Sequence, residues 1–216
     1  MAIVPGVLSS NEVSRLKNWL ENAALKKSRA GARHILSEPE VRSLTNHPHL
    51  MEVATMVLGG DAIPFRATLF DKSPVSNWLV MWHQDTALPL RERRDVFGWG
   101  PWSVKEGISY AHAPASVLAQ VVAIRVHIDD STSSNGPLRT LPATHTLGVL
   151  DDAKIQDLAA STEAIECTVK SGGIIVMRPL VVHASSKSHS EIPRRVLHIE
   201  YAETLRLCDG MELAIA

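Results

Sequence analysis

Val121-Val122-Ala123-Ile124-Arg125-Val126-His127-Ile128 is the stretch on which the fold turns. Branched aliphatic residues dominate it, as in a β-strand. Side chains alternate across a strand, so Val122, Ile124, Val126 and Ile128 share one face and Ala123, Arg125 and His127 the other. The first face must be buried against something apolar. For the second face two readings stand. It is either a solvated outer surface, or the interior of a barrel in which a charge has to find a partner. Asp129 to Gly136 closes the strand with turn-forming residues.

Outward from this strand, short β-branched and aromatic runs recur between turns. Phe65 to Phe70 and Trp78 to Asp85 precede it, with Lys72 to Asn77 as the turn between them. Thr168 to Val169, Ile174 to Met177, Leu180 to His183 and Val196 to Tyr201 follow it. Many short strands with regular turns predict a mainly β sandwich or barrel. The first sixty residues read instead as helices packed outside the sheets. Ser9 and Glu12 form a capping box, after which Val13, Leu16, Leu20 and Ala24 recur at helical spacing. Ser37 and Glu40 suggest a second box, and a third helix is expected from Leu50 to Leu58, ended by Gly59 and Gly60. The expected organisation is a single domain over residues 1–216, helical at 1–60 and β at 61–205. Arg91 to Pro114 fits no regular element and is expected to be a long functional loop.

Twenty-two basic and 23 acidic residues leave a formal charge of −1, so no global basic field is available for nucleic acid or an anionic membrane. Neither a secretory leader at Met1 to Ser10 nor an apolar run of roughly 18 residues is legible, which predicts a cytoplasmic protein. Cys167 and Cys208 are too few for a thiolate zinc site, whereas ten histidines make a His/carboxylate metal site the first candidate.

Trp82-His83-Gln84-Asp85 supplies that candidate. On a strand His83 and Asp85 point the same way and can chelate one divalent ion. His183, at the end of Leu180-Val181-Val182, offers a third ligand. Two histidines and one carboxylate with open positions form the facial triad of non-haem Fe(II) oxygenases. Eleven residues after His183, Pro193-Arg194-Arg195 opens the last strand. A guanidinium beside the metal histidine can hold the distal carboxylate of a 2-oxo diacid. The two arginines point to opposite faces, so one of them enters the barrel, and the spacing favours Arg194.

These residues resemble the phytanoyl-CoA dioxygenase family of Fe(II)/2-oxoglutarate oxygenases, which includes ectoine hydroxylase. Trp82-His83-Gln84-Asp85 is similar to its Trp-His-x-Asp, and His183-Ala184-Ser185 to its His-Gly/Ala-Ser. Asn135-Gly136-Pro137-Leu138 and Pro142-Ala143-Thr144-His145 are similar to its turns, with Ala143 where the family has Gly, a change expected to alter packing only. The resemblance implies a double-stranded β-helix, a jelly-roll or cupin-like core. It implies Fe(II) on His83, Asp85 and His183, with 2-oxoglutarate on Arg194 and Ser185 and dioxygen as co-substrate. It further implies that Arg66, with Thr68 on the same strand face, lies close to 2-oxoglutarate. The activity implied is oxidative decarboxylation of 2-oxoglutarate to succinate, coupled to hydroxylation of an unactivated C–H bond in a small molecule. Asp85 argues against the related halogenases, which leave that coordination position free.

Around this centre Arg125 could meet 2-oxoglutarate, a substrate anion or Asp85. Trp99, Trp102, Tyr110, His112 and His127 are candidate substrate contacts. The aromatic residues of the Arg91–Pro114 segment either form a lid over the metal or merely anchor the loop. Arg91, Arg93 and Arg94 read as a solvated patch or as an anion site. His145 and His198 read as structural, and His34, His47, His49 and His189 as surface residues. A polar or anionic small molecule is the expected partner; oligomeric state is not legible. Two other classes remain open, a jelly-roll metal-binding or sensor protein without turnover and a cupin-like metalloenzyme that does not use 2-oxoglutarate. Arg194 speaks against the latter.

Overall fold

The computed structural model describes residues 1–28 and 31–216, with the side chain of residue 209 left aside. In chain order its elements are β1 (Ala2–Val4), α1 (Ser10–Asn22), β2 (Lys27–Ser28), β3 (Gly31–Ala32), α2 (Pro39–Thr45), α3 (Pro48–Leu58), β4 (Ile63–Lys72), β5 (Val80–His83), β6 (Ala87–Leu90), β7 (Trp102–Lys105), β8 (Ile108–His112), α4 (Ala115–Leu118), β9 (Val121–His127), β10 (Leu138–Thr140), α5 (Asp152–Ser161), β11 (Ile165–Cys167), β12 (Ile174–Met177), β13 (His183–Ser185) and β14 (Arg194–Ala202). A seven-stranded sheet runs β1-β12-β9-β14-β4-β3-β2, a four-stranded sheet β11-β10-β13-β5, and a small third sheet β6-β8-β7. The first two sheets face each other, since Ala123, Ile175 and Met177 of one pack against Leu138 and Cys167 of the other. This is the expected jelly-roll sandwich.

Register explains how the large sheet divides its labour. Strand β14 pairs antiparallel with β4 on one side and β9 on the other. Leu197, Ile199 and Tyr201 of β14, Ala67 and Leu69 of β4, and Val122, Ile124 and Val126 of β9 all turn outward. They are fully buried against Val13, Leu16 and Leu20 of α1, Val41 and Leu44 of α2, and Leu50 and Ala54 of α3. Each buried Val, Leu or Ile among them contributes roughly 1.5–3 kcal/mol. Tyr201 ties this layer together by donating from its hydroxyl to the Thr45 carbonyl at 3.0 Å. Among the described residues, no helix is long and apolar enough to cross a membrane.

Several local expectations hold and others need correction. The Ser9–Glu12 capping box is present at the start of α1. The Ser37 box is not: the N-cap of α2 is Glu38, without a side-chain cap, which puts Val41 rather than Glu40 at the third helical position. The first sixty residues are not all helical, since β1, β2 and β3 join the large sheet. Leu180 to Val182 is a buried turn rather than a strand, so His183 begins β13 instead of ending a strand. The strand expected at Thr168–Val169 lies at β11, leaving Val169 to bridge Ser131. The Arg91–Pro114 segment is not a structureless loop. It contains the β7–β8 hairpin, turned by Glu106 and Gly107, both with positive φ (50° and 85°). Ala143 also takes a positive φ of 62°, so its replacement of Gly bears on the backbone rather than on packing alone.

Candidate active site

The metal candidate assembles across the β5–β13 pair. His83 and His183 are directly opposite in register, with ring centroids 4.3 Å apart. Strand β5 ends at His83, and Asp85 is placed by its backbone N–H donating to the Pro179 carbonyl at 3.0 Å. Asp85 Oδ1 lies 3.7 Å from His83 Nε2 and Asp85 Oδ2 lies 3.5 Å from His183 Nε2. One ligand atom from each residue falls within 4.8 Å of the others.

Both imidazoles are oriented from behind. His83 Nδ1 lies 2.8 Å from the Met81 carbonyl and His183 Nδ1 lies 2.9 Å from the Val181 carbonyl. A carbonyl only accepts, so each Nδ1 carries the proton and each Nε2 lone pair is free to ligate. Burial holds His183 neutral, its pKa pushed down to about 4. Burial opposes the Asp85 charge, but His183 and His83 keep the carboxyl well below its ordinary value. Asp85 raises the His83 pKa against the opposing effect of burial. A carboxylate and two imidazoles that present Nε2, with His83 still 39% exposed, fit Fe(II) held by a facial triad with open positions.

Behind the triad, the inner face of the large sheet is polar. Lys72 and Arg194 are opposite in register, as are Thr68 and His198, and Arg66 and Glu200. Arg125 lies opposite His198 on the other side. Arg194 is 3% exposed and donates to the Asn135 carbonyl at 3.2 Å and to Ser185 Oγ at 3.5 Å. Lys72, 1% exposed, donates to Ser185 Oγ at 2.8 Å and to the Ser186 carbonyl at 2.5 Å. Arg125 contacts His198 Nδ1 at 3.2 Å and stacks 5.1 Å from the Phe70 ring centre, while its Nε has no partner. Among the described residues none of these three cations forms an ion pair.

Burial depresses all three, Lys72 to about 7, Arg194 to about 9 and Arg125 to about 10, with Arg125 adding repulsion at the other two. Next to them His127 is buried with both ring nitrogens unpartnered, its pKa pushed by burial to about 3. Buried cations and orphaned nitrogens facing one space are what a small dianion such as 2-oxoglutarate would satisfy.

The structure thus settles several positions left open above. Arg125 and His127 face the interior, so the solvated reading of that face is wrong. Arg194 points inward while Arg195 is held outside by Asp129 in two contacts of 2.8 and 3.0 Å. His127 is buried beside the Arg125 and Arg194 charges. Arg66 is tied to buried Glu200 and to the Ala87 carbonyl, the latter at 3.1 Å, so its fork is already engaged. Burial opposes its charge, but Glu200 raises its pKa above the ordinary arginine value.

Trp99 is buried in a cluster with Leu88, Leu90 and Ala111, and Trp102 packs on that cluster; both also line a cavity with Arg93, Phe97 and Pro101. Tyr110 is 1% exposed and bonded to His34, whereas His112 is exposed and contacts Thr86. Neither His34 nor His47 is a free surface residue, His47 contacting Glu12 at 3.1 Å. Arg91 and Arg94 are paired with Glu212 and Glu92, and Arg93 lies over Trp102. Lys72, His198 and Glu200 were missed as site residues. Parity from Arg66 through Thr68 and Phe70 would have carried Lys72 inward.

Comparison with known proteins follows the same line. A family model for phytanoyl-CoA dioxygenase matches residues 1–196. L-proline trans-4-hydroxylase of Streptomyces griseoviridis is 24% identical over 184 residues, 73% of this chain and 61% of that protein, so the chain spans less than two thirds of that relative. Among solved structures, SnoK, a non-haem alpha-ketoglutarate-dependent carbocyclase from nogalamycin biosynthesis, superposes with a TM-score of 0.71 at 16% identity over 99% of this chain and 91% of SnoK. EctD from S. alaskensis, solved with 2-oxoglutarate and 5-hydroxyectoine, gives 0.70 at 19% identity over 93% of this chain and 71% of EctD. AviO1 from Streptomyces viridochromogenes Tue57 gives 0.67 at 22% identity over 93% of this chain and 88% of AviO1. At these identities the structural likeness shows a shared fold.

Proposed function

Since the chain belongs to the phytanoyl-CoA dioxygenase family, we propose that it is a non-haem Fe(II)- and 2-oxoglutarate-dependent dioxygenase acting on a small polar or anionic molecule. The observation that carries this reading is the unpaired buried charge of Arg194, Lys72 and Arg125 leading inward from the His83–Asp85–His183 triad. A metal-binding protein that ignores 2-oxoglutarate would gain nothing from three buried cations, each costly without a counter-ion.

His83, Asp85 and His183 would hold Fe(II), each offering one ligand atom. Arg194 offers its guanidinium fork to the distal carboxylate of 2-oxoglutarate, and Ser185 and Lys72 complete that end. Arg125 and His127 line the same space. With dioxygen as the oxidant, bound iron and 2-oxoglutarate would supply an oxidative decarboxylation that puts one oxygen atom into succinate, with release of CO2, and the other into an unactivated C–H bond of the substrate. The protein orients and encloses these groups. The Met81 and Val181 carbonyls keep both ligating histidines in one tautomer. Proline and ectoine chemistry among the similar proteins supports a small-molecule substrate.

Anaerobic titration with Fe(II) and 2-oxoglutarate tests the reading. The visible metal-to-ligand charge-transfer band should form, and His183→Ala and Arg194→Ala should each weaken it by about tenfold or more in apparent affinity. Unchanged binding in both variants would reject the assignment.

A further inference from the structure

On the β7–β8 hairpin stands a cation that the proposed chemistry does not use. Antiparallel pairing sets Lys105 opposite Ile108 and Ser103 opposite Tyr110, so Lys105 and Tyr110 are diagonal neighbours on one face. The Lys105 ammonium lies 4.6 Å from the Tyr110 ring centre and Arg66 lies 5.7 Å from it, so one aromatic ring is flanked by two cations. Tyr110 is fixed beneath them by its hydroxyl contact with His34 Nε2 at 2.9 Å. Among the described residues Lys105 has no hydrogen bond and no ion pair. Its chain neighbour Glu106 turns instead toward His34 Nδ1, 3.9 Å away. Burial, Arg66 and Arg33 all act against the Lys105 charge, and the Asp85 and Glu200 carboxylates act for it, which puts the ammonium within electrostatic reach of the metal triad.

We propose that Lys105, seated on Tyr110, is the anchor for a carboxylate group of the primary substrate. This inference rests on the oxygenase reading of the triad. Arg66 is already neutralised by Glu200, and Lys105 is left as an ammonium with no acidic partner among the described residues. A carboxylate of the substrate would supply that partner. A half-buried ammonium also discriminates strongly, because a neutral analogue leaves it unpaired. The anion site is thus the hairpin, not Arg91 and Arg94, which already hold acidic partners.

The test uses the full-length protein loaded anaerobically with Fe(II) and 2-oxoglutarate. Calorimetric titration compares a panel of amino acids, hydroxy acids and straight-chain fatty acids with the primary amide of each. At least one acid should bind about tenfold or more tighter than its amide. Lys105→Met should erase that preference while the charge-transfer band persists, and Lys105→Arg should keep it. Acids and amides that bind alike, no acid that binds, or a preference that survives Lys105→Met would overturn the anchor while the band stays intact. A wild-type protein without the band overturns the oxygenase reading beneath it.

Discussion

The two faces of the large sheet are made by the same strands and could hardly differ more. On β4, β9 and β14, the residues Ala67, Leu69, Val122, Ile124, Val126, Leu197, Ile199 and Tyr201 face the helices and are buried in apolar contact. One position away, Arg66, Lys72, Arg125, His127, Arg194, His198 and Glu200 face the opposite sheet. The first set gains free energy from water exclusion. The second set gives some of it back, since several of its cations are buried without an anion. Period-two alternation lets one sheet hold the fold together with one half of its residues and keep a poorly compensated polar face with the other.

The largest effect that would test this division is on the outer face. Leu197→Ala removes buried side-chain volume between sheet and helices and should cost about 2–5 kcal/mol of stability. Denaturant unfolding of the protein without ligands measures it. At 2-oxoglutarate concentrations far above its dissociation constant, the folded fraction should still give the charge-transfer band. Loss of 2-oxoglutarate affinity in the folded variant would show that the two faces are not separable.

An intermediate effect, of opposite sign, is expected on the inner face. Arg194→Met replaces a buried cation lacking a counter-ion with an apolar side chain of similar length. It should raise the stability of the ligand-free protein by about 1–2 kcal/mol, while stabilisation by added 2-oxoglutarate falls away. A thermal melt with and without 2-oxoglutarate reads both. A variant that melts lower than wild type without ligand would mean that the Asn135 and Ser185 contacts already satisfy Arg194.

The alternation was visible in residues 121–128, and so was the apolar face against the helices. What alternation could not decide was whether the Arg125 face met solvent or a second sheet, because that depends on strands distant in sequence. The triad was legible, although for a reason that needs amendment. His83 and Asp85 are close not because both lie on a strand but because the chain leaves β5 after His83 and Pro179 receives the Asp85 amide. Register, invisible in one sequence, put His183 opposite His83. Lys72 was hidden because strand β4 runs two residues beyond its last apolar residue, Phe70, so the lysine read as part of a turn. The β7–β8 hairpin was hidden for a similar reason. Its strands of four and five residues carry little period-two signal, and Gly98, Gly100 and Pro101 before them read as loop. Leu180 to Val182 shows the converse, an apolar run buried in the core without strand geometry.

The last effect is a pH dependence, and it isolates one inner-face residue. Lys72 has a pKa of about 7 in the folded chain and an ordinary lysine value once unfolded. Between those two values the unfolded state binds more protons than the folded state, so stability should rise as pH increases from about 7 toward 10. No apolar residue of the outer face can contribute to that slope. Lys72→Met should flatten the rise between pH 7 and 8, below the values of about 9 and 10 at which Arg194 and Arg125 begin to lose their protons in the folded state. Saturating 2-oxoglutarate should also flatten it in the wild type, because a carboxylate beside the ammonium restores its charge. Chemical unfolding at several pH values, with and without 2-oxoglutarate, makes the measurement. A slope that Lys72→Met leaves unchanged would assign the proton to another group and remove Lys72 from the cosubstrate end of the cavity.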